Sequence, residues 1–196
     1  MKSVKEKFQD KICGRISRQM QPAETMWIYN RKGKRRYMSL QSSMILWRQQ
    51  FWKNITKLGN VYSVLPLALI FLLWERVLGV KLLVGLIGIY TVAVIIRLVY
   101  FKERPKKRPT TTLLKRIDAS SFPSIHAARA FFFAMTITRF YQEPKLGVIL
   151  FMLAIMVSFS RYRLHEHYAS DVIGGVILGI AITHIVEVTW IGLTSI

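Results

Sequence analysis

His167 and Asp171 stand four residues apart, a spacing that on a helix puts both side chains on one face. A carboxylate so placed can take the proton on one imidazole nitrogen, which leaves the other nitrogen free to attack an electrophile. Three arginines, Arg97, Arg104 and Arg161, supply planar donor forks suited to the oxygens of a phosphoryl group. Their fixed charge would stabilise the charge spread over those oxygens during transfer. His126 can protonate a leaving oxygen, a step worth about 10²–10⁴-fold, and Ser124 can donate a hydrogen bond to phosphate. This arrangement requires no metal and no cofactor. His165 and His167 flank Glu166, but alternate residues on a helix point different ways and no third ligand is evident, so a metal site is not expected.

Five apolar stretches must position these groups, near 58–74, 82–100, 122–138, 146–159 and 172–194. Charged or Pro-bearing segments separate them. They read as transmembrane helices, although several fall short of the roughly 20 residues a span needs, so flanking polar residues must be borrowed or the bilayer must thin. A soluble helical bundle would need polar faces, and Val61 to Trp74 has almost none. Charge inside a span is expensive and calls for a reason, and Arg97, His126, Arg129, His184 and Glu187 all fall in or at the edges of these stretches. Counting crossings, the Arg97–Arg104 segment, the Pro123–His126 segment and the Ser160–Asp171 segment emerge on one membrane face. His184 and Glu187, one turn apart, read as a buried hydrogen-bonded pair, the other reading being the lining of a lipid path. Trp and Tyr near the span ends read as interfacial anchors.

Ahead of the spans, residues 1–38 form a polar, basic surface arm with Arg31, Lys32, Lys34, Arg35 and Arg36 near its end. In 39–57, Leu40, Met44, Trp47, Phe51 and Ile55 recur at steps of three and four, the pattern of an amphipathic helix. An interfacial position keeps Arg48, Gln49 and Lys53 at the headgroups, whereas a sixth span would bury them. The expected architecture is therefore all-α: an integral membrane bundle of about five transmembrane helices (58–196) preceded by an interfacial helix and a basic arm. Composition agrees, with 196 residues, 52% of them hydrophobic, and a mean hydropathy of +0.30. A net charge of +19 points to anionic partners without choosing among nucleic acid, anionic lipid and a phosphorylated substrate. The one cysteine, Cys13, excludes an internal disulfide framework, and residues 1–20 hold no secretory signal pattern.

The ordered set resembles the three-part signature of the type 2 phosphatidic acid phosphatase and vanadium haloperoxidase superfamily: KxxxxxxRP, then PSGH, then SRxxxxxHxxxD. The third block matches at every fixed position, as Ser160, Arg161, His167 and Asp171. The resemblance covers about residues 40–195. It implies His167 as nucleophile, Asp171 as its orienter, His126 as general acid, and Arg97, Arg104, Ser124, Ile125 and Arg161 as the phosphate-binding positions. Two residues depart from the pattern. Arg97 replaces the family Lys, which keeps the charge but widens the fork. Ile125 replaces the family Gly, which puts a β-branched side chain where backbone approaches phosphate. Lys102, Lys106, Lys107 and Arg108 crowd the same loop and are expected to face solvent or headgroups, with one able to replace a missing contact.

Lys and Arg near the spans concentrate on the motif side, in the arm and in the 101–121 loop, against only Arg76, Lys81, Arg139 and Lys145 on the other. By the positive-inside rule the motif face is cytoplasmic. Six-span members of the family commonly hold their site outside, and this chain reads as lacking the first of those six spans. The expected activity is hydrolysis of a lipid phosphate or diphosphate, phosphatidate-like or polyisoprenyl, through a phosphohistidine. The expected partners are that substrate and anionic membrane lipids at the arm, with no nucleic acid. The alternative is a non-catalytic protein that binds or transports anionic lipid, and haloperoxidase chemistry is the family's other branch.

Overall fold

The computed structural model describes residues 25–29, 35–106 and 111–194. Cys13, Arg31, Lys32, Lys34, Lys107 and Arg108 lie outside the described residues. The chain divides into two units, Met1–Arg48 and Gln49–Ile196. In the first, β1 (Thr25–Tyr29) and β2 (Arg35–Ser39) pair antiparallel with Trp27 opposite Tyr37. This ribbon is an addition to the all-helical expectation, and the run TMWIY supplies the aromatic and β-branched residues that favour it. β2 continues directly into α1 (Leu40–Leu58), the amphipathic helix expected at 39–57.

The second unit is helical. Where α1 ends, Asn60 caps α2 (Val61–Trp74), its side chain accepting from Val61 N at 2.7 Å. α3 (Arg76–Val99) follows, then the short α4 (Leu113–Ala119), whose first turn is capped by the hydroxyl of Thr112. α5 (Ile125–Tyr141) stops at Gln142, which takes a left-handed conformation with φ 52. Pro144 then opens α6 (Pro144–Arg163) at a position where its missing N–H costs nothing. α7 (Ala169–Thr194) completes the chain.

Four stretches are long and apolar enough to cross a bilayer: Met44–Trp74, Arg76–Val99, Pro144–Arg163 and Ala169–Leu193. The fifth expected span is α5, which has 17 residues and is the inner helix, packed against α3, α6 and α7. Being surrounded by protein, it needs less apolar length than helices that face lipid. Ile70, Leu73, Ile87, Ile149, Met152, Ile177 and Val188, on four different helices, are all exposed, which suits a lipid environment. The core lies between α2, α3, α5 and α7, with Leu78, Leu82, Ile89, Ala128 and Phe132 fully buried.

The crossing of α5 and α7 is the part of the fold that builds the site. Gly175 and Gly179 repeat at four residues on α7, and a side chain at either would collide with a carbonyl of α5, that of Ser124 or Ala128. Their lack of Cβ lets the two backbones touch, as small residues do between membrane helices. The contact brings the start of α5 against the start of α7, where Ser124 N donates to the Asp171 carbonyl at 2.9 Å.

Candidate active site

A cavity of about 170 Å³ opens at the motif end of the bundle, lined by Arg97, Arg104, Ile125, His126, Arg161 and His167 together with Asn60, Tyr90, Asp118 and Arg129. Three separate sequence segments thus converge on one cavity. Ser124 and Asp171 are fully buried and lie behind this lining.

The arginines are held by chain ends. Arg97, in the last turn of α3, donates to the carbonyls of Pro123 at 3.0 Å and Ile117 at 3.3 Å. Arg104 donates to the Asp118 carbonyl at 2.8 Å. Ile117 and Asp118 belong to the last turn of α4, whose carbonyls have no partner within the helix, so the guanidinium forks satisfy a helix terminus. Arg161 donates to Thr56 Oγ1 at 3.1 Å, which ties the tail of α1 to the site. Glu166 lies between Arg104 and Arg161, its Oε2 at 3.6 and 3.8 Å from them.

His167 departs from the expected geometry. α7 begins at Ala169, so His167 precedes it in the turn that contains the left-handed His165, and the four-residue spacing to Asp171 is not a helical one. Nδ1 of His167 lies 3.9 Å from Asp171 Oδ2, beyond hydrogen-bond reach. Its proton goes instead to the carbonyl of Ser121 at 2.8 Å, and since a carbonyl only accepts, this bond fixes the tautomer with the lone pair on Nε2. The Ser121 hydroxyl donates to Asp171 Oδ2. Asp171 also accepts from Tyr168 N at 2.9 Å and from Lys102 Nζ at 2.6 Å. The carboxylate therefore orders the segment that orders the histidine. Burial, together with Arg104 and Arg161, lowers the His167 imidazole from its ordinary 6.5 to about 3, so it is neutral at physiological pH.

His126 sits in the first turn of α5 on the cavity wall. A side chain at Gly59 would collide with Val157 and touch His126, so the α1–α2 junction lies against the imidazole. The Ser124 hydroxyl has no hydrogen-bond partner among the described residues. Ile125 lines the cavity and packs against the hydrophobic core. Beside the cavity, an apolar groove of about 380 Å³ runs between α2, α5 and α6, from Leu58 and Val157 past Phe133 and Leu153.

Sequence reasoning missed Ser121, Tyr90, Asp118 and Asn60, which carry no spacing signal. It left Lys102 as one of several loop cations and Arg129 as a charge within a span. One further expectation is corrected. Glu187 pairs with Lys81 of α3 at 2.8 Å, and His184 contacts Arg139 at 3.4 Å, so His184 and Glu187 do not pair with each other. Both acquire partners from neighbouring helices that local spacing does not reveal. His165 is exposed whereas His167 is buried, and among the described residues no three His, Cys, Asp or Glu side chains form a metal-binding group.

The profile of the PAP2 superfamily matches residues 78–191. An undecaprenyl-diphosphatase, BcrC of Bacillus subtilis strain 168, is 33% identical over 105 residues, 53% of this chain and 51% of that protein. The match thus spans about half the length of that relative. Among solved structures, LpxE of Aquifex aeolicus is similar with a TM-score of 0.61 and 22% identity, over 71% of this chain and 84% of that one. A transmembrane PAP2-type phosphatidylglycerolphosphate phosphatase of Bacillus subtilis gives a TM-score of 0.60 and 22% identity, over 72% and 75%. The fold is that of these transmembrane bundles.

Proposed function

Because this chain belongs to the PAP2 superfamily, we propose that it is an integral membrane phosphatase that hydrolyses the phosphate ester or diphosphate of a lipid. The observation that carries the reading is a buried histidine with its Nδ1 proton committed to Ser121 and its Nε2 lone pair available, beside three arginines on one cavity wall. In the proposed reaction Nε2 of His167 attacks phosphorus. Arg97, Arg104 and Arg161 hold the three non-bridging oxygens, and Ser124 and the backbone N–H of Ile125 at the start of α5 add donors. His126 gives a proton to the leaving oxygen, and a water then cleaves the phosphohistidine, returning the histidine and releasing phosphate. Asp171 is assigned a positioning role through Ser121. The apolar groove beside His126 would take the hydrocarbon tail from the bilayer. The relatives named above include enzymes whose names specify a lipid diphosphate and a lipid phosphate, in line with this substrate class.

The test is phosphate release from a panel of glycerolipid and isoprenoid phosphates and diphosphates. His167→Ala should abolish release, vanadate should inhibit and chelators should not. An active His167→Ala protein would refute the mechanism. Binding of phospholipid without phosphate release from any panel member would favour the non-catalytic reading.

The remaining assignments are part of the same proposal. The arm, residues 1–38, binds anionic lipid, α1 lies at the interface with Phe51 exposed to the acyl boundary, and 58–196 forms the catalytic core. The site faces the cytoplasm, on the basic side. Labelling of single cysteines placed in the arm and in the 141–145 loop tests the orientation, and an externally labelled arm would overturn it.

A further inference from the structure

Arg129 is 3% exposed, lies within α5, and takes no part in the steps above. A guanidinium at that depth needs an anion or a dense set of acceptors. Among the described residues it has neither: its Nη1 donates to the Tyr90 hydroxyl at 2.5 Å, the group stands 5.5 Å over the Tyr90 ring, and its Nε has no partner. Tyr90 is a neutral acceptor, and a hydroxyl that accepts from arginine keeps its own proton to donate. Both side chains line the cavity that holds His126, His167 and the arginine clamp.

Their placement gives the pair a definite level. Arg129 follows His126 by three residues on α5, which puts it on the same face about 4.5 Å further from the motif end. Tyr90 precedes Arg97 by seven residues on α3, also on one face, about 10.5 Å further in. The pair therefore lies in the same cavity as the phosphoryl clamp and on its membrane side, the side from which a lipid substrate enters.

We infer that Arg129 and Tyr90 form a second anion subsite, which holds the lipid-attached phosphate of a diphosphate substrate and makes the site select diphosphates over monophosphates. The inference rests on the phosphatase reading. His167 Nε2 forms its bond to the terminal phosphorus while the bond from that phosphorus to the bridging oxygen breaks. The bridging oxygen takes a proton from His126, and the leaving lipid monophosphate stays bound to Arg129 and Tyr90 until release. Water then hydrolyses the phosphohistidine to inorganic phosphate and free histidine. A monophosphate substrate reaches the clamp but leaves this subsite without its anion.

Farnesyl diphosphate and farnesyl monophosphate share one hydrocarbon chain and differ only in the second phosphate, so they isolate the subsite. With wild type, kcat/KM should favour the diphosphate. Arg129→Gln should lower kcat/KM on the diphosphate by about 100-fold, the loss expected for one charge-assisted hydrogen bond, and leave the monophosphate within about threefold. Arg129→Lys should recover part of the diphosphate activity, and Tyr90→Phe should lose about tenfold on that substrate alone. Retained monophosphate turnover also shows that each variant is folded. An equal fall on both substrates in Arg129→Gln and Tyr90→Phe, or an unchanged preference in both, would overturn the inference. A wild type that releases phosphate from other lipids of the panel but shows no preference for a diphosphate over its monophosphate would overturn the subsite alone, whereas release from no lipid of the panel would refute the phosphatase reading itself.

Discussion

Lys102 binds Asp171 through an ion pair of 2.6 Å in which the carboxylate is fully buried and the lysine side chain about a quarter exposed. Removing one partner of a fully buried pair costs about 3–5 kcal/mol. In Lys102→Ala the carboxylate keeps its bonds from Ser121 Oγ and Tyr168 N, and water can enter along the vacated side-chain path. The loss should therefore fall to about 2 kcal/mol. For a chain of this size that lowers the melting temperature in detergent micelles by about 4–8 °C. A second consequence is electrostatic. Asp171 lies 3.9 Å from Nδ1 of His167, and without the lysine its charge favours the imidazolium, so the acid limb of kcat/KM should move to higher pH. Lys102→Arg, which keeps the charge, should move it little. A Lys102→Ala protein with the wild-type melting temperature and an unmoved acid limb would refute the reasoning, because the pair would then hold neither the segment nor the charge balance.

His167 gives a sign for the pH dependence of stability. Its folded value of about 3 lies below the ordinary 6.5, so its contribution is complete above about pH 6.5 and is lost as pH falls toward 3, where only the unfolded chain binds the proton. Wild type should lose more stability than His167→Gln between pH 7 and 4 when both are unfolded in the same micelles. Gly179→Val should force α5 and α7 apart, cost at least about 3 kcal/mol and lower activity with it, since the new side chain meets the Ala128 carbonyl. A fully active, equally stable variant would contradict the close crossing. Lys81→Met should destabilise by about 3 kcal/mol by leaving Glu187 alone, and adding Glu187→Met should restore most of that loss in thermal melts.

What was legible in the sequence was whatever one element or one fixed spacing carries. The apolar runs gave the helices, the steps of three and four gave α1, and the three motif segments gave six of the cavity's walls. The failures share a physical cause. The partners of His167 and Asp171 are supplied across separations of 46 and 69 residues by Ser121 and Lys102, through closure of a loop that has no periodic signal. The four-residue rule misled at His167 because it holds only inside a helix, and this helix starts two residues later. The same rule joined His184 to Glu187, whereas Glu187 meets a lysine 106 residues away. Gly175 and Gly179 did carry a readable signal, a small-residue pair at four-residue spacing in an apolar helix. The β1–β2 ribbon rests on a five-residue run inside a basic arm.

The segment from Ile117 to Pro123, the last turn of α4 and the irregular chain that follows it, serves both halves of the site. Its backbone carbonyls receive Arg97, Arg104 and the Nδ1 proton of His167, and the hydroxyl of Ser121 holds Asp171. Carbonyls are dipoles without net charge, so they fix the direction of a guanidinium while leaving its positive field largely intact, which a carboxylate at the same distance would not. One carboxylate, that of Glu166, also pairs with the clamp, at 3.6 Å from Arg104 and 3.8 Å from Arg161, longer than a charge-assisted hydrogen bond. In a cavity walled by apolar helices that field is weakly screened. Helix-end carbonyls can then hold the forks in place for the proposed phosphoryl transfer, so that little reorganisation is needed when charge develops on the phosphate oxygens.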